Sequence, residues 1–412
     1  MGLFKVFWDI ASAQICASRK GVFCLLQESA TVLVTKKHKE IAMHAWKKCW
    51  AAAALCATLS SANAQLLIGQ TAGFTGQVAA GVKETSDGAK LYIDMVNAKG
   101  GVNGQKIEVV ALDDKFDPKL AAENARKLIE ENNVLALFLN RGTPHTEAII
   151  PLLDKHGVAL VAPSTGAMVL HQPVRKYVFN VRATYQREAE KAMTHLASMG
   201  ISRIGVVYAD DSFGADGLAG AQKGLVAAKI TPVLQEKFDR AKPEFTPIAA
   251  KLVKADAQAV LIIASGSAVV DANNAIRTAG SAAQIVTLSN NASTGFIKSL
   301  GANARGVIVT QVYPNERAVT YPMVKEAQEL ARAKGLGDIS PAMLEGFAAA
   351  KVLVEGLKRA GPKPTREKVQ VALESLRKFD LGGLEVTYGP DDHTGLDFAD
   401  LSIIGTDGKF RR

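Results

Sequence analysis

No cysteine follows Cys56; the four in the chain, Cys16, Cys24, Cys49 and Cys56, all stand near its start. Whatever folds beyond them has no disulfide, no thiolate metal site and no cysteine nucleophile. Long apolar runs are missing as well. Past the N-terminal region the strongly apolar stretches, such as 259–264, fall far short of the roughly 20 residues that cross a bilayer as a helix. No dense Lys/Arg run is present there either, which speaks against nucleic acid or anionic lipid as a partner. There is no P-loop and no G-x-S-x-G nucleophile elbow, and Gly73-Phe74-Thr75-Gly76 stands where a dinucleotide-binding loop would follow a first strand. None of His145, His156, His171, His195 and His393 has metal-ligand spacing with another. Asp113-Asp114 and Asp391-Asp392-His393 read as solvated carboxylates at element ends. No metal, no cofactor and no catalysis are expected. Short internal repeats, low-complexity tracts and long linkers are also lacking, which excludes a solenoid or a tethered multidomain chain.

What the chain does have, near its start, is an export signal. Met43-His44-Ala45-Trp46-Lys47-Lys48 is a short basic segment, 49–59 is an apolar stretch of signal-peptide length, and Ala62-Asn63-Ala64 is a small-x-small cleavage site. The apolar stretch alone would suit a buried helix, but the three parts follow the order that export requires. Residues 43–64 are therefore expected to be a signal peptide, with Gln65 as the first mature residue and the periplasm as destination. Residues 1–42 are expected to be a mis-assigned extension with Met43 as the true start, because an exported chain does not carry such a mixed segment ahead of its signal. Eight of the 49 basic and three of the 40 acidic residues precede Gln65, which lowers the net charge from +9 to +4. Much of the basicity belongs to the leader.

Residues 65–412 exceed what one hydrophobic core usually serves, so two domains are expected. Short β-branched runs alternate with helical patterns, which reads as α/β with parallel sheets. Strands are expected at 66–70, 106–112, 134–139 and 158–162, then at 204–208, 233–238, 259–263, 285–288 and 307–312. Asp117-Pro118, Thr143-Pro144 and Ser340-Pro341 supply cap-and-proline helix starts, and Thr365 a further cap. Residues 320–376 read as mostly helical, with short strands near 385–388 and 401–404.

In open α/β sheets ligands bind beyond the carboxyl ends of the strands, so the loops there hold the candidates. Arg141-Gly142-Thr143-Pro144-His145-Thr146 follows the third strand; the amides of His145 and Thr146 at a helix start favour an anion, and the Thr143 hydroxyl adds a contact. Thr143 also suits plain capping. Ser164 and Thr165 offer hydroxyls after the fourth strand. In the second series Asp211 and Phe213 stand at a helix start that would clasp the far side of a ligand or simply face solvent. Ser265-Gly266-Ser267 and Ser289-Asn290-Asn291 follow strands and are polar and uncharged.

Several stretches carry a resemblance: 97–104 (Asn-Ala-Lys-Gly-Gly-Val-Asn-Gly), Asp113-Asp114 through Asp117-Pro118, Ala162-Pro163-Ser164-Thr165, the turn from Asp211 to Gly214, and Glu345-Gly346-Phe347. From Leu66 onward the chain resembles the type I periplasmic binding proteins of branched-chain amino-acid ABC importers, the leucine/isoleucine/valine-binding family. The resemblance implies two Rossmann-like lobes joined by three crossovers, with residues 65–182 plus 313–390 in one and 183–312 plus 391–412 in the other. It implies a monomer that closes on a small-molecule ligand, an amino acid or related carboxylate or amide, and hands it to a permease in the inner membrane. It places ligand groups at Thr143, at the 164–166 loop, at Phe213 where members usually carry tyrosine, near Ser265, and at Ser289, where members carry an acidic partner for the ammonium group. Serine there predicts weaker binding of aliphatic amino acids than of analogues without a charged amine. A ligand-sensing receptor of the same fold and an α/β enzyme are the competing readings; the leader favours the transport receptor. Cleavage between Ala64 and Gln65 is the directly testable expectation. Mass spectrometry of the exported protein should return Gln65 at the N-terminus and no peptide from 1–42.

Overall fold

The computed structural model describes residues 65–412; the expected extension and signal peptide lie outside the described residues. Strands β1 (Leu66–Ala72), β2 (Ile107–Asp113), β3 (Ala136–Phe138), β4 (Ala159–Val161) and β5 (Val178–Phe179) form one sheet in the order β2-β1-β3-β4-β5, parallel throughout. Parallel neighbours need a crossover, and helices α1 (Ala79–Ala98), α2 (Pro118–Glu130) and α3 (Thr143–His156) provide it. After helix α4 (Tyr185–Ser198) the rhythm repeats through β6 (Ile204–Ala209), α5 (Ser212–Ala227), β7 (Leu234–Phe238), α6 (Thr246–Lys254), β8 (Ala259–Ile263), α7 (Ser267–Thr278), β9 (Gln284–Thr287), α8 (Thr294–Leu300) and β10 (Ile308–Gln311). These five strands are parallel in the order β7-β6-β8-β9-β10. Antiparallel strands β13 (Asp400–Ile404) and β14 (Phe410–Arg411) extend the sheet. All five residues of β8 are buried, as expected for a strand covered on both faces.

The fold is therefore α/β with two lobes. In each sheet the strand order reverses beside the first strand of its series, at β1/β3 in one lobe and β6/β8 in the other. Both crevices lie at the carboxyl ends of those strands.

Helices α9 (Pro322–Ala333), α10 (Pro341–Arg359) and α11 (Arg366–Glu374) return to the first lobe, followed by the hairpin β11 (Phe379–Asp380) and β12 (Glu385–Val386). Three cap expectations match the geometry. Asp117 accepts from the amides of Lys119 (2.7 Å) and Leu120 (3.1 Å), Ser340 from Met343 (3.2 Å) and Thr365 from Lys368 (3.2 Å). Thr143 does not cap: the N-cap is Gly142, at φ 99°, and Thr143 is the first helical residue. The two-residue strand β5 was not expected, being too short to show alternation. Residues 391–399, expected with the second lobe, lie along the first. The Leu396 amide bonds the Val181 carbonyl (3.0 Å), and His393 stacks on Phe179 at 4.1 Å.

Helix α10 has 14 of its 19 residues buried, so it runs through the interior of the first lobe, against α1. The two backbones touch. A Cβ on Gly346 would lie 1.7 Å from the Thr85 carbonyl oxygen, and one on Gly88 would lie 1.9 Å from that of Met343. This approach also carries Glu345 toward the strand ends.

Between β5 and α4 the chain passes from one lobe to the other, and Arg182 sits in that crossover, 2% exposed. Its guanidinium pairs with Glu188, donates to the Ser289 hydroxyl at 2.5 Å, covers the Tyr185 ring at 4.6 Å and lies 3.8 Å from Glu345. Glu188, fully buried, accepts in turn from the Ser289 amide (2.9 Å) and the Thr310 hydroxyl. One ion pair thus joins the crossover to the ends of β9 and β10.

Two substitutions test these contacts by urea unfolding. Gly346→Ala, which forces α1 and α10 apart, should cost about 1–3 kcal/mol or more through overpacking. Glu188→Gln strands a buried guanidinium and should cost about 3–5 kcal/mol. Unchanged unfolding midpoints would remove these contacts from any account of the fold.

Candidate functional site

The loops at the two crevices meet. From the first lobe, Gln77 stands in the loop after β1 and Arg141 immediately follows the β3 loop start; from the second, Ser265 and Gly266 follow β8 and Asn290 and Asn291 follow β9. Gln77 donates its side-chain amide to the Ser265 carbonyl (3.0 Å), and its carbonyl accepts from the Ser267 amide (3.2 Å). Arg141 donates to the Ser164 hydroxyl (2.9 Å) and across the cleft to the Asn290 carbonyl (2.5 Å). Ser164 donates to Glu345 at 2.7 Å. Farther along, Glu84 of α1 accepts from the amides of Thr294 (2.9 Å) and Gly295 (2.7 Å) at the start of α8, and Glu147 accepts from Ser212. A cavity of about 290 Å³ remains between these groups, lined among others by Gln77, Gly81, Arg141, Gly266, Asn290 and Asn291. It is at the small end of ligand pockets, which run from roughly 300 to 1,000 Å³.

A second cluster closes the cleft beside it. Arg240 pairs with Asp211 at 2.5 Å and places its guanidinium 5.6 Å from the Phe213 ring and 5.3 Å from the Phe116 ring of the opposite lobe. Phe116 stacks on His145 at 4.4 Å. Burial pushes the His145 imidazole down to about 4, with Arg240 acting in the same direction, so it is neutral at pH 7 and brings no charge to an anion. A wider crevice of about 1260 Å³ opens between α8 and the segment before α10. It is lined by charges of both signs, including Arg305, Glu316, Arg332 and Asp338.

The residues singled out from sequence distribute as follows. Thr143 and Thr165 are buried and share a hydrogen bond of 2.7 Å between their hydroxyls. Ser164 links Arg141 to Glu345. Ser265 meets the cavity edge through its carbonyl, while its hydroxyl accepts from Asn290 at 2.9 Å. Asp211 caps α5 and holds Arg240; Phe213 packs edge-on against Tyr185 at 4.9 Å. The Thr146 amide, expected to be free, bonds the Gly142 carbonyl at 3.0 Å. Ser289 does not line the cavity; its hydroxyl and amide both serve the Arg182–Glu188 pair. Gln77 and Arg240 were not singled out, and Arg141 and Glu345 were named only within longer stretches, with no role of their own. Arg141 had a usable signal, its place directly beyond a parallel strand. Glu345 had only the resemblance of its stretch, because the α1–α10 approach that turns it inward is not written locally.

Among the described residues, no helix is long and apolar enough to cross a membrane. Residues 65–399 match the periplasmic binding protein family. Over 337 residues the chain is 25% identical to Leu/Ile/Val-binding protein homolog 3 of Brucella melitensis, covering 80% of this chain and 88% of that one. A substrate-binding periplasmic protein from Ralstonia solanacearum superposes with a TM-score of 0.76 at 32% identity, over 84% of this chain and 99% of its own. A possible leucine/isoleucine/valine-binding protein from Rhodopirellula baltica gives a TM-score of 0.80 at 26% identity, over 86% and 98%. Two doubly wound lobes facing each other across a small polar cavity, and a match along most of the described chain, agree: this chain belongs to the periplasmic binding protein family.

Proposed function

We propose that this chain is the extracytoplasmic solute-binding subunit of an ABC importer. It captures an amino acid or a related small carboxylate or amide between its lobes in the periplasm, once the signal peptide is removed behind Ala64, and presents it to an inner-membrane permease. The observation that carries this reading is the cavity at which both topological switch points converge, with Gln77 and Arg141 reaching across to Ser265 and Asn290. Ser164 supports the proposed site from behind through Arg141; Thr143 and Thr165 bond one another, and the Phe116–Arg240–Phe213 group forms the lid. The protein binds and releases; it does not transform its ligand. We take the lobes as residues 65–182 with 313–399, and 183–312 with 400–412.

Delivery requires that the lobes open and shut. The chain passes between them near Arg182, Val312 and residues 397–400, three adjacent segments able to absorb a hinge rotation. Ligand that touches both lobes binds the closed form better and shifts the population toward it. Small-angle scattering should therefore show a smaller radius of gyration when a ligand found by thermal-shift screening is added to the refolded, ligand-free protein. An identical radius with and without that ligand would remove the hinge from the account.

A further inference from the structure

Resting on the solute-binding reading, we propose that Arg141 is the specificity-determining residue of the cleft, and that it selects a carboxylate-bearing solute without a charged amine. Arg141 is 4% exposed and lines the cavity, yet no carboxylate among the described residues lies within 4.0 Å of its nitrogens. Its two protein acceptors, the Ser164 hydroxyl and the Asn290 carbonyl, are neutral. A guanidinium has five N–H donors in a planar fork; two are used here, and the rest match the paired oxygens of a carboxylate. A buried cation with neutral partners only is costly, and an anion in the adjoining space offsets that cost.

The rest of the cavity wall has the same electrostatic sense. Arg141 is the one ionisable residue lining it, the others being Gly, Ala, Val, Phe, Ser, Gln and Asn. Helices α1 and α7 both begin at this wall, each without a side-chain cap and without an acidic residue in its first turn. The first amides of α7 are already bonded, Ser267 to the Gln77 carbonyl (3.2 Å) and Ala268 to the Ser265 carbonyl (3.3 Å), so the positive end that remains at this wall is that of α1. Of the nearby acids, Glu345 reaches Arg141 only through the intervening Ser164 hydroxyl, and Glu84 is engaged by the amides at the start of α8. An ammonium group enclosed here would lose its water against neutral acceptors, beside a fixed cation. Because Arg141 also reaches Asn290 of the other lobe, a carboxylate on its fork is held at the seam between them.

The test is calorimetry on refolded protein with matched sets of probes: L-leucine, L-phenylalanine and L-glutamate, the 2-keto acid of each, and the primary amide of each keto acid. Within a set the keto acid should bind best, the amino acid about tenfold or more weakly, and the uncharged amide least. Arg141→Gln should weaken the keto acid about a hundredfold, the scale of a charge-assisted bidentate contact, and Arg141→Lys, which keeps the charge without the fork, about tenfold. Far-UV circular dichroism establishes that each variant folds, and the lysine variant serves if the glutamine variant does not. An amino acid that binds more tightly than its keto acid, or a keto acid whose affinity is unchanged in both variants, overturns the proposal while leaving the solute-binding reading intact. The proposal is equally overturned if the keto acids all fail to bind at millimolar concentration, or if native mass spectrometry of the protein as purified from its host finds a ligand without a carboxylate. Failure of the solute-binding reading has a different signature: no small solute of any class stabilises or compacts the protein.

Discussion

A pair of opposite charges sealed away from water at the crossover, Arg182 with Glu188, is the constraint around which the two lobes are arranged. Such a pair adds little net stability compared with well-packed apolar residues, but breaking it is expensive, so it acts as a demand for one arrangement. Here that demand involves the amide of Ser289 after β9, the hydroxyl of Thr310 in β10 and, at longer range, Glu345 in α10. Ends of elements from both lobes are therefore referred to one fixed point. The cavity is built just beyond that point, from loops whose own positions follow from it.

The glycine approach between α1 and α10 works together with this network. Close helices bring Glu345 to the Ser164 hydroxyl, and Ser164 is the group on which Arg141 rests. Core packing and cleft chemistry are thus linked through two hydrogen bonds. In the second lobe α5 makes a comparable approach, with Gly220 against the backbone of Gln186 and Gly224 against that of Glu190. Small residues set the separation of the first helix pair in each lobe, and that separation places the loops at the strand ends.

The architecture was legible in the sequence because it is written locally. Alternating β-branched runs and helix caps such as Asp117, Ser340 and Thr365 act within a few residues of themselves, and the strand-end rule then located the loops that carry the cleft. What was not legible depends on contacts distant in the chain. Thr143 had every local mark of a cap, yet Gly142 takes that place because its positive φ turns the chain so that the Thr143 hydroxyl meets Thr165. Ser289 sits at a strand end like the other candidates, but the charge buried beside it, more than 100 positions away in the chain, claims both of its polar groups. Gln77 lay in a loop with no distinguishing pattern, and Glu345 on a helix face whose direction only the partner helix decides.

Gly266 shows what such a tight seam implies for the life of the protein. At φ 54°, its missing side chain would project to within 1.9 Å of the Gln77 carbonyl on the opposite lobe. The two lobes come together there backbone to backbone, with no slack. Even a single added methyl group would act as a doorstop. A side chain there would meet the Gln77 carbonyl before the two loops reached the separation they have here. How near the two loops can approach at this seam is therefore set by the absence of one carbon atom.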